Sequence, residues 1–256
     1  MRLLLAATAA LFFAAPIAAR PSPPSPAGDI AVAIHAIADL DGGGKMETIS
    51  FAANADNTAF TLRVGGATRV VHPEIPPDQP IRGFRLVRLD SGAKERQIAV
   101  LVVGLDSVED TYFFAYVGKR IVSRGDVIGV TQIPGNGAVY SDDWMDFWTC
   151  HEKYALTAGG VLAAVPQAAY YVGVPATVKQ SFPVRTSASV AGAVVANVAP
   201  GSKIELLLYQ PLPGKPLWKM MDGMKGWYLV KTATGLCGWA RYEAFGDKVS
   251  GLPFAG

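Results

Sequence analysis

The chain has 256 residues, enough for one large or two ordinary domains that each bury a core. Half of its residues are apolar and 17% are charged, with 23 Lys and Arg against 21 Asp and Glu, a formal charge of +2. Basic residues are scattered singly (Arg63, Arg69, Arg82, Arg85, Arg88) rather than gathered in a stripe, which excludes the electrostatic footprint of a nucleic-acid partner.

The N-terminus reads as an export signal. Arg2 precedes the apolar run Leu3 to Ala15, then Pro16 and small residues ending at Ala18-Ala19. A positive start, an apolar stretch of this length and a small-residue exit describe a secretory signal peptide over residues 1–19. The run is at or below the bilayer-spanning minimum and no stop-transfer charges follow. The mature chain is therefore expected to have no membrane span and to be periplasmic or secreted. Residues 20–27 (RPSPPSPA) are too rich in Pro and Ser to pack and are expected to form an extended tether.

From 28 to 176 the chain alternates short apolar runs (TISFAA, AFTLRV, FRLVRL, QIAVLVV, TYFFAYV) with turn signals (DGGG, GG, SG, PGNG). Rich in Val, Ile, Thr and aromatics, these runs are expected to be strands of an open sheet or sandwich. One helix is expected over Asp142–Tyr154, capped by Ser141 or Asp142, because Trp144, Phe147, Trp148 and His151 fall at helical spacing. A second β domain is expected over 177–248, followed by a tail, 249–256. The fold class is thus mainly β. Cys150 and Cys237 leave two options open, one bridge or two thiols.

An internal repeat stands out. Asp39–Ile49 (DLDGGGKMETI) aligns without gaps to Arg88–Ile98 (RLDSGAKERQI), each between two apolar runs. The first copy resembles the DxDGDGxxE loop of FG-GAP/VCBS-type repeats, many of them in secreted proteins. The resemblance implies weak Ca²⁺ ligation by Asp39, Asp41 and Glu47 with backbone carbonyls near Lys45, since hard Ca²⁺ takes several oxygens. Gly43 stands where the pattern has Asp, so the alternative is a turn that no longer binds. In the second copy Arg88 replaces the first Asp and Arg96 the Glu, which would repel a cation.

Residues 178–245 resemble a bacterial SH3-type (SH3b) domain. The resemblance rests on Phe182-Pro183-Val184-Arg185 with Ser187, then Val194–Val198 with Pro200-Gly201 and Lys203–Leu206. Gly226–Lys231 (GWYLVK) and Gly235–Ala240 (GLCGWA) with Tyr242 and Phe245 complete it. It implies an SH3-like small barrel that binds cell-wall peptide or a protein segment and catalyses nothing. Trp227, Leu229 and Trp239 share a strand face and are expected to fill the barrel. The chain departs from the pattern in a Met- and Trp-rich insert, Tyr209–Lys225, read either as an adaptable contact surface or as a flap. Trp218, Met224, Tyr228 and Tyr242 flank loops and are the expected ligand contacts.

No catalytic constellation is evident. His35 lies in an apolar run and is expected to be a core side chain, and His72 precedes a proline. Cys150-His151-Glu152 are adjacent, so they point in different directions and cannot pair as nucleophile and base. Asp142, Asp143 and Asp146 read as a solvated helix start or as a site for a cationic ligand. The expected function is that of an exported non-enzymatic binding protein, contacting cell-wall peptide or an envelope protein. Two alternatives remain: an assembly role with the SH3-like barrel docked on its own N-terminal domain, or a Ca²⁺-responsive secreted factor.

Overall fold

The computed structural model describes residues 32–74, 79–104, 109–212 and 225–254. The expected signal peptide and tether, and the expected contacts Trp218 and Met224, lie outside the described residues. Among those residues no helix is long and apolar enough to cross a membrane.

The protein is mainly β, and its first part is three successive four-stranded antiparallel meanders. The first contains β1 (His35–Ala38), β2 (Glu47–Ala53), β3 (Phe60–Val64) and β4 (Ala67–Val71). Strand β2 shows why: Glu47, Ile49 and Phe51 are buried while Thr48, Ser50 and Ala52 are not, the period-two pattern of a half-buried strand. The second contains β5 (Ile81–Val87), β6 (Gln97–Val103), β7 (Glu109–Val117) and β8 (Arg120–Ile128). Every residue of β6 is buried. Its unbroken run QIAVLVV follows from position, since this sheet is covered on both faces. Ile98, Val100, Val102 and Phe114 pack toward the first sheet, while Ala99 and Phe113 pack toward the third. That third sheet contains β9 (Val130–Gln132), β10 (Ala138–Trp144), β11 (Thr149–Leu156) and β12 (Leu162–Ala164).

The units are joined by equivalent bonds. Arg96 N–H donates to the Leu40 carbonyl at 2.9 Å, and Gly137 N–H to the Leu89 carbonyl at 2.6 Å. The repeat read from the sequence is therefore a stacking device.

The C-terminal sheet has seven strands: β13 (Tyr170–Val178), β14 (Phe182–Arg185), β15 (Val194–Val198), β16 (Lys203–Gln210), β17 (Trp227–Thr232), β18 (Cys237–Arg241) and β19 (Val249–Ser250). Its order is β15-β14-β18-β17-β16-β13-β19, with a short helix α1 (Tyr242–Phe245) after β18. The sheet's first strand, Tyr170–Val178, begins on the N-terminal side of the boundary drawn at 177 and crosses it. Val249–Ser250, assigned to the tail, pair with β13.

The helix expected over Asp142–Tyr154 is absent. Strands β10 and β11 pair from Ala138–Ala155 to Trp144–Thr149, and Met145 N–H donates to the Trp148 carbonyl at 2.8 Å across a tip where Asp146 has φ +62°. The helical spacing of aromatics misled because Phe147 and Trp148 sit on the turn and leave the hairpin altogether. They enter the C-terminal core, with ring centroids of Phe147 and Tyr228 at 5.7 Å and of Trp148 and Tyr209 at 5.4 Å. His35 also departs from expectation. It is exposed on edge strand β1, whose buried position is Ala38.

Three carboxylates, Asp110 on β7, Asp126 on β8 and Asp143 on β10, influence one another electrostatically. Burial, then Asp126 and Asp143, pushes Asp110 up to about 6, and burial raises Asp126 and Asp143 too. A raised folded-state pKa gives stability that is fully present below the unfolded value of 3.8 and lost as pH rises through about 6. Asp110→Asn mimics the neutral form. It should match the wild type in thermal melts at low pH and be more stable at pH 8, by about 1 kcal/mol after screening of a partly exposed group. Parallel pH profiles of the two proteins would refute this coupling.

Candidate ligand groove and cation loop

On β17, Tyr228 and Val230 point into the C-terminal core, so Trp227 and Leu229 point away from it. Cross-strand pairing carries that outer face along. Leu229 lies opposite Trp239 and Trp239 opposite Arg185, while Trp227 lies opposite Arg241. Pro183, two residues before Arg185, has the same parity. The result is a groove of about 370 Å³ lined by Pro183, Arg185, Trp227, Trp239, Arg241 and Glu243 among others.

Its charges are differently committed. The Arg241 guanidinium sits 5.9 Å from the Trp227 ring centroid, donates from Nη2 to the Lys225 carbonyl at 3.1 Å and lies 3.4 Å from a Glu243 oxygen. Arg185 donates from Nη1 to the Gly192 carbonyl at 2.8 Å, fastening the loop between β14 and β15. No carboxylate pairs with Arg185 among the described residues.

The expected contacts fall elsewhere. Tyr228 is 0% exposed, ringed by Tyr209 and Phe245 at 5.1 and 5.4 Å, and burial pushes its hydroxyl far above the ordinary tyrosine range. Tyr242 is partly buried and stacks on Phe147 at 5.9 Å. Neither lines the groove. Trp227, Leu229 and Trp239 do share one face, as expected, but it is the outer one. A signal for this was present: Lys231, Arg241 and Arg185 have the same parity as the tryptophans, and charges mark the face that meets water.

The second candidate is the loop before β2. Asp39, Asp41 and Glu47 bring one carboxylate oxygen each within 4.8 Å of the others. Backbone amides donate to one oxygen of each: Gly44 N–H to Asp39 Oδ2 at 2.9 Å, Gly43 N–H to Asp41 Oδ1 at 2.8 Å, and Leu40 N–H to Glu47 Oε2 at 3.2 Å. Asp39 Oδ1 is buried without a hydrogen-bond partner among the described residues. An orphaned carboxylate oxygen beside two more acids suits a hard divalent cation.

The second loop repeats the scaffold with only one of the three acids, Asp90. Gly92 N–H donates to Asp90 Oδ1 at 2.9 Å, and Leu89 N–H to Gln97 Oε1 at 2.9 Å. The structural counterpart of Glu47 is thus Gln97 rather than Arg96, because the second loop is one residue longer before its strand. A neutral amide and Arg88 stand where the first loop has acids.

The remaining polar candidates separate. Cys150 is buried, its thiol raised above the usual range mainly by burial, while His151 is exposed and meets Asp142 Oδ1 across the hairpin at 2.6 Å. Cys150 and Cys237 are both free, so the bridge considered from the sequence is not made. The acidic run divides by strand alternation: Ser141 points inward, Asp142 pairs with His151, and Asp146 forms the tip.

No protein-family model matches the chain, and no curated protein matches it. The chemistry of the groove and of the loop carries the functional reading.

Proposed function

We propose that this protein is an exported, non-enzymatic binding protein of the cell envelope, and that its SH3-like C-terminal region holds an extended peptide in the Trp227–Trp239 groove. The carrying observation is the groove itself, two indole-bearing positions and two guanidinium groups on the sheet face opposite the core. Aromatic faces supply apolar contact at low entropy cost, and Arg supplies directional donors, the combination that dominates peptide recognition. Docking on the N-terminal sheets uses the other face, through Phe147 and Trp148, so it does not occupy the groove.

Co-sedimentation of the protein with purified peptidoglycan sacculi tests this reading. Trp239→Ala should cut the bound fraction at least about tenfold while leaving the melting temperature within a few degrees, because Trp239 lines the groove rather than the core. A protein that stays in the supernatant would end the reading for cell-wall peptide. Deleting residues 177–256 is a poor test, since it strips the cover from Phe147 and Trp148.

The carboxylate cluster favours a second reading, a Ca²⁺-responsive factor. Asp39, Asp41 and Glu47 would hold the ion, which would supply local cross-linking of the loop rather than chemistry. Millimolar Ca²⁺ should then raise the melting temperature, and Asp41→Ala should abolish the rise. Since Asp41 also accepts from Gly43, the quantity compared is the Ca²⁺-dependent shift within each variant, not the absolute value. A wild type that does not respond to Ca²⁺ rules this out.

A further inference from the structure

The groove also carries a preference for charge. Arg185 has five donors arranged in a planar fork, and among the described residues only its Nη1 has a partner, the neutral Gly192 carbonyl. The neighbouring Arg241 is already engaged by Glu243, by the Lys225 carbonyl and by the Trp227 ring. Side by side on β14 and β18, Arg185 and Trp239 present a guanidinium edge with no partner among the described residues, beside an indole. A cationic ligand would be repelled there, and a neutral one would leave the fork with water. We propose that Arg185 anchors a carboxylate of the bound peptide, so that the groove selects acidic extended peptides. The proposal rests on the peptide-binding reading above. It names the group that reading leaves open: an apolar stretch lies along Trp239 and Trp227, and a carboxylate meets the fork at the Arg185 end, where a two-oxygen acceptor matches two parallel donors.

The experiment uses the full chain and three preparations of sacculi. One is untreated, one has its peptide carboxylates converted to amides, and one has its phosphate-bearing polymers stripped by acid. The expected result is strong pelleting with untreated and phosphate-stripped sacculi, and at least about a tenfold loss with amidated sacculi, the scale of one charge-assisted contact. Arg185→Gln keeps an N–H for Gly192 and removes the charge. It should reproduce that loss on untreated sacculi and be indifferent to amidation, with an unchanged melting temperature as the folding control. Wild-type binding that survives amidation, or Arg185→Gln binding equal to the wild type, would overturn the carboxylate anchor and leave the peptide reading intact. Loss of binding on phosphate stripping alone would overturn it in favour of a polymer phosphate. If the wild type pellets with none of the three, the reading and this deduction fall together.

Discussion

Trp148→Ala should be among the most damaging single substitutions in this protein. Trp148 is 2% exposed and stands on a hairpin of the third sheet, yet its ring packs 5.4 Å from Tyr209 in the C-terminal core. Truncating a buried Trp of this kind costs about 3–5 kcal/mol, transfer and cavity terms together. The expected urea midpoint shift is correspondingly large, and the C-terminal sheet should lose its near-ultraviolet signal first. A cost below about 1 kcal/mol would show that the two parts fold independently of this contact.

Gly83→Ala is the second large effect, with a different cause. Gly83 has φ +136° at a register shift in β5, and an added Cβ would lie 2.6 Å from the Ala33 carbonyl oxygen. Beside it, Ala33 and Phe84 exchange two backbone hydrogen bonds at 2.8 and 2.9 Å. The substitution therefore combines an unfavourable φ with displacement of that paired segment, an expected cost of about 2–4 kcal/mol. Gly66→Ala is the control: nothing lies within 4 Å of its added Cβ, and its φ is not positive. Melting temperatures of the two variants should differ widely. Equal values would mean that the residues before β1 are not held by the Gly83 contact.

Much of the architecture was legible from the chain because strands announce themselves locally. The alternation in ETISFAA, the Gly-rich turns and the repeated loop are short-range signals, and each corresponds to an element of the fold. The hairpin at Asp142–Tyr154 was not legible. Its aromatics serve a core built from strands that begin sixteen residues beyond it, so their spacing reports neither helix nor strand. The carboxylate loop was visible residue by residue, since a metal-type loop is a contiguous sequence feature. The Glu47–Gln97 equivalence was hidden by a one-residue difference in loop length that only the Leu40 and Leu89 hydrogen bonds expose.

The groove shows where the boundary lies. The sequence alone establishes that Trp227 and Leu229 share one strand face and that Tyr228 and Val230 share the other, because side chains alternate along any strand. The register that sets Trp239 opposite Leu229 comes from the structure. Which of the two faces is covered depends on what else packs there. Phe147 and Trp148 arrive from another sheet and, with Phe245, close over Tyr228, so the tyrosine becomes core. Trp239 stays half-buried on the outer face, while Trp227 is covered there instead, with the Arg241 guanidinium 5.9 Å from its ring. Period-two patterning distinguishes two faces without naming the inner one; the apolar partner brought in by the tertiary fold decides it.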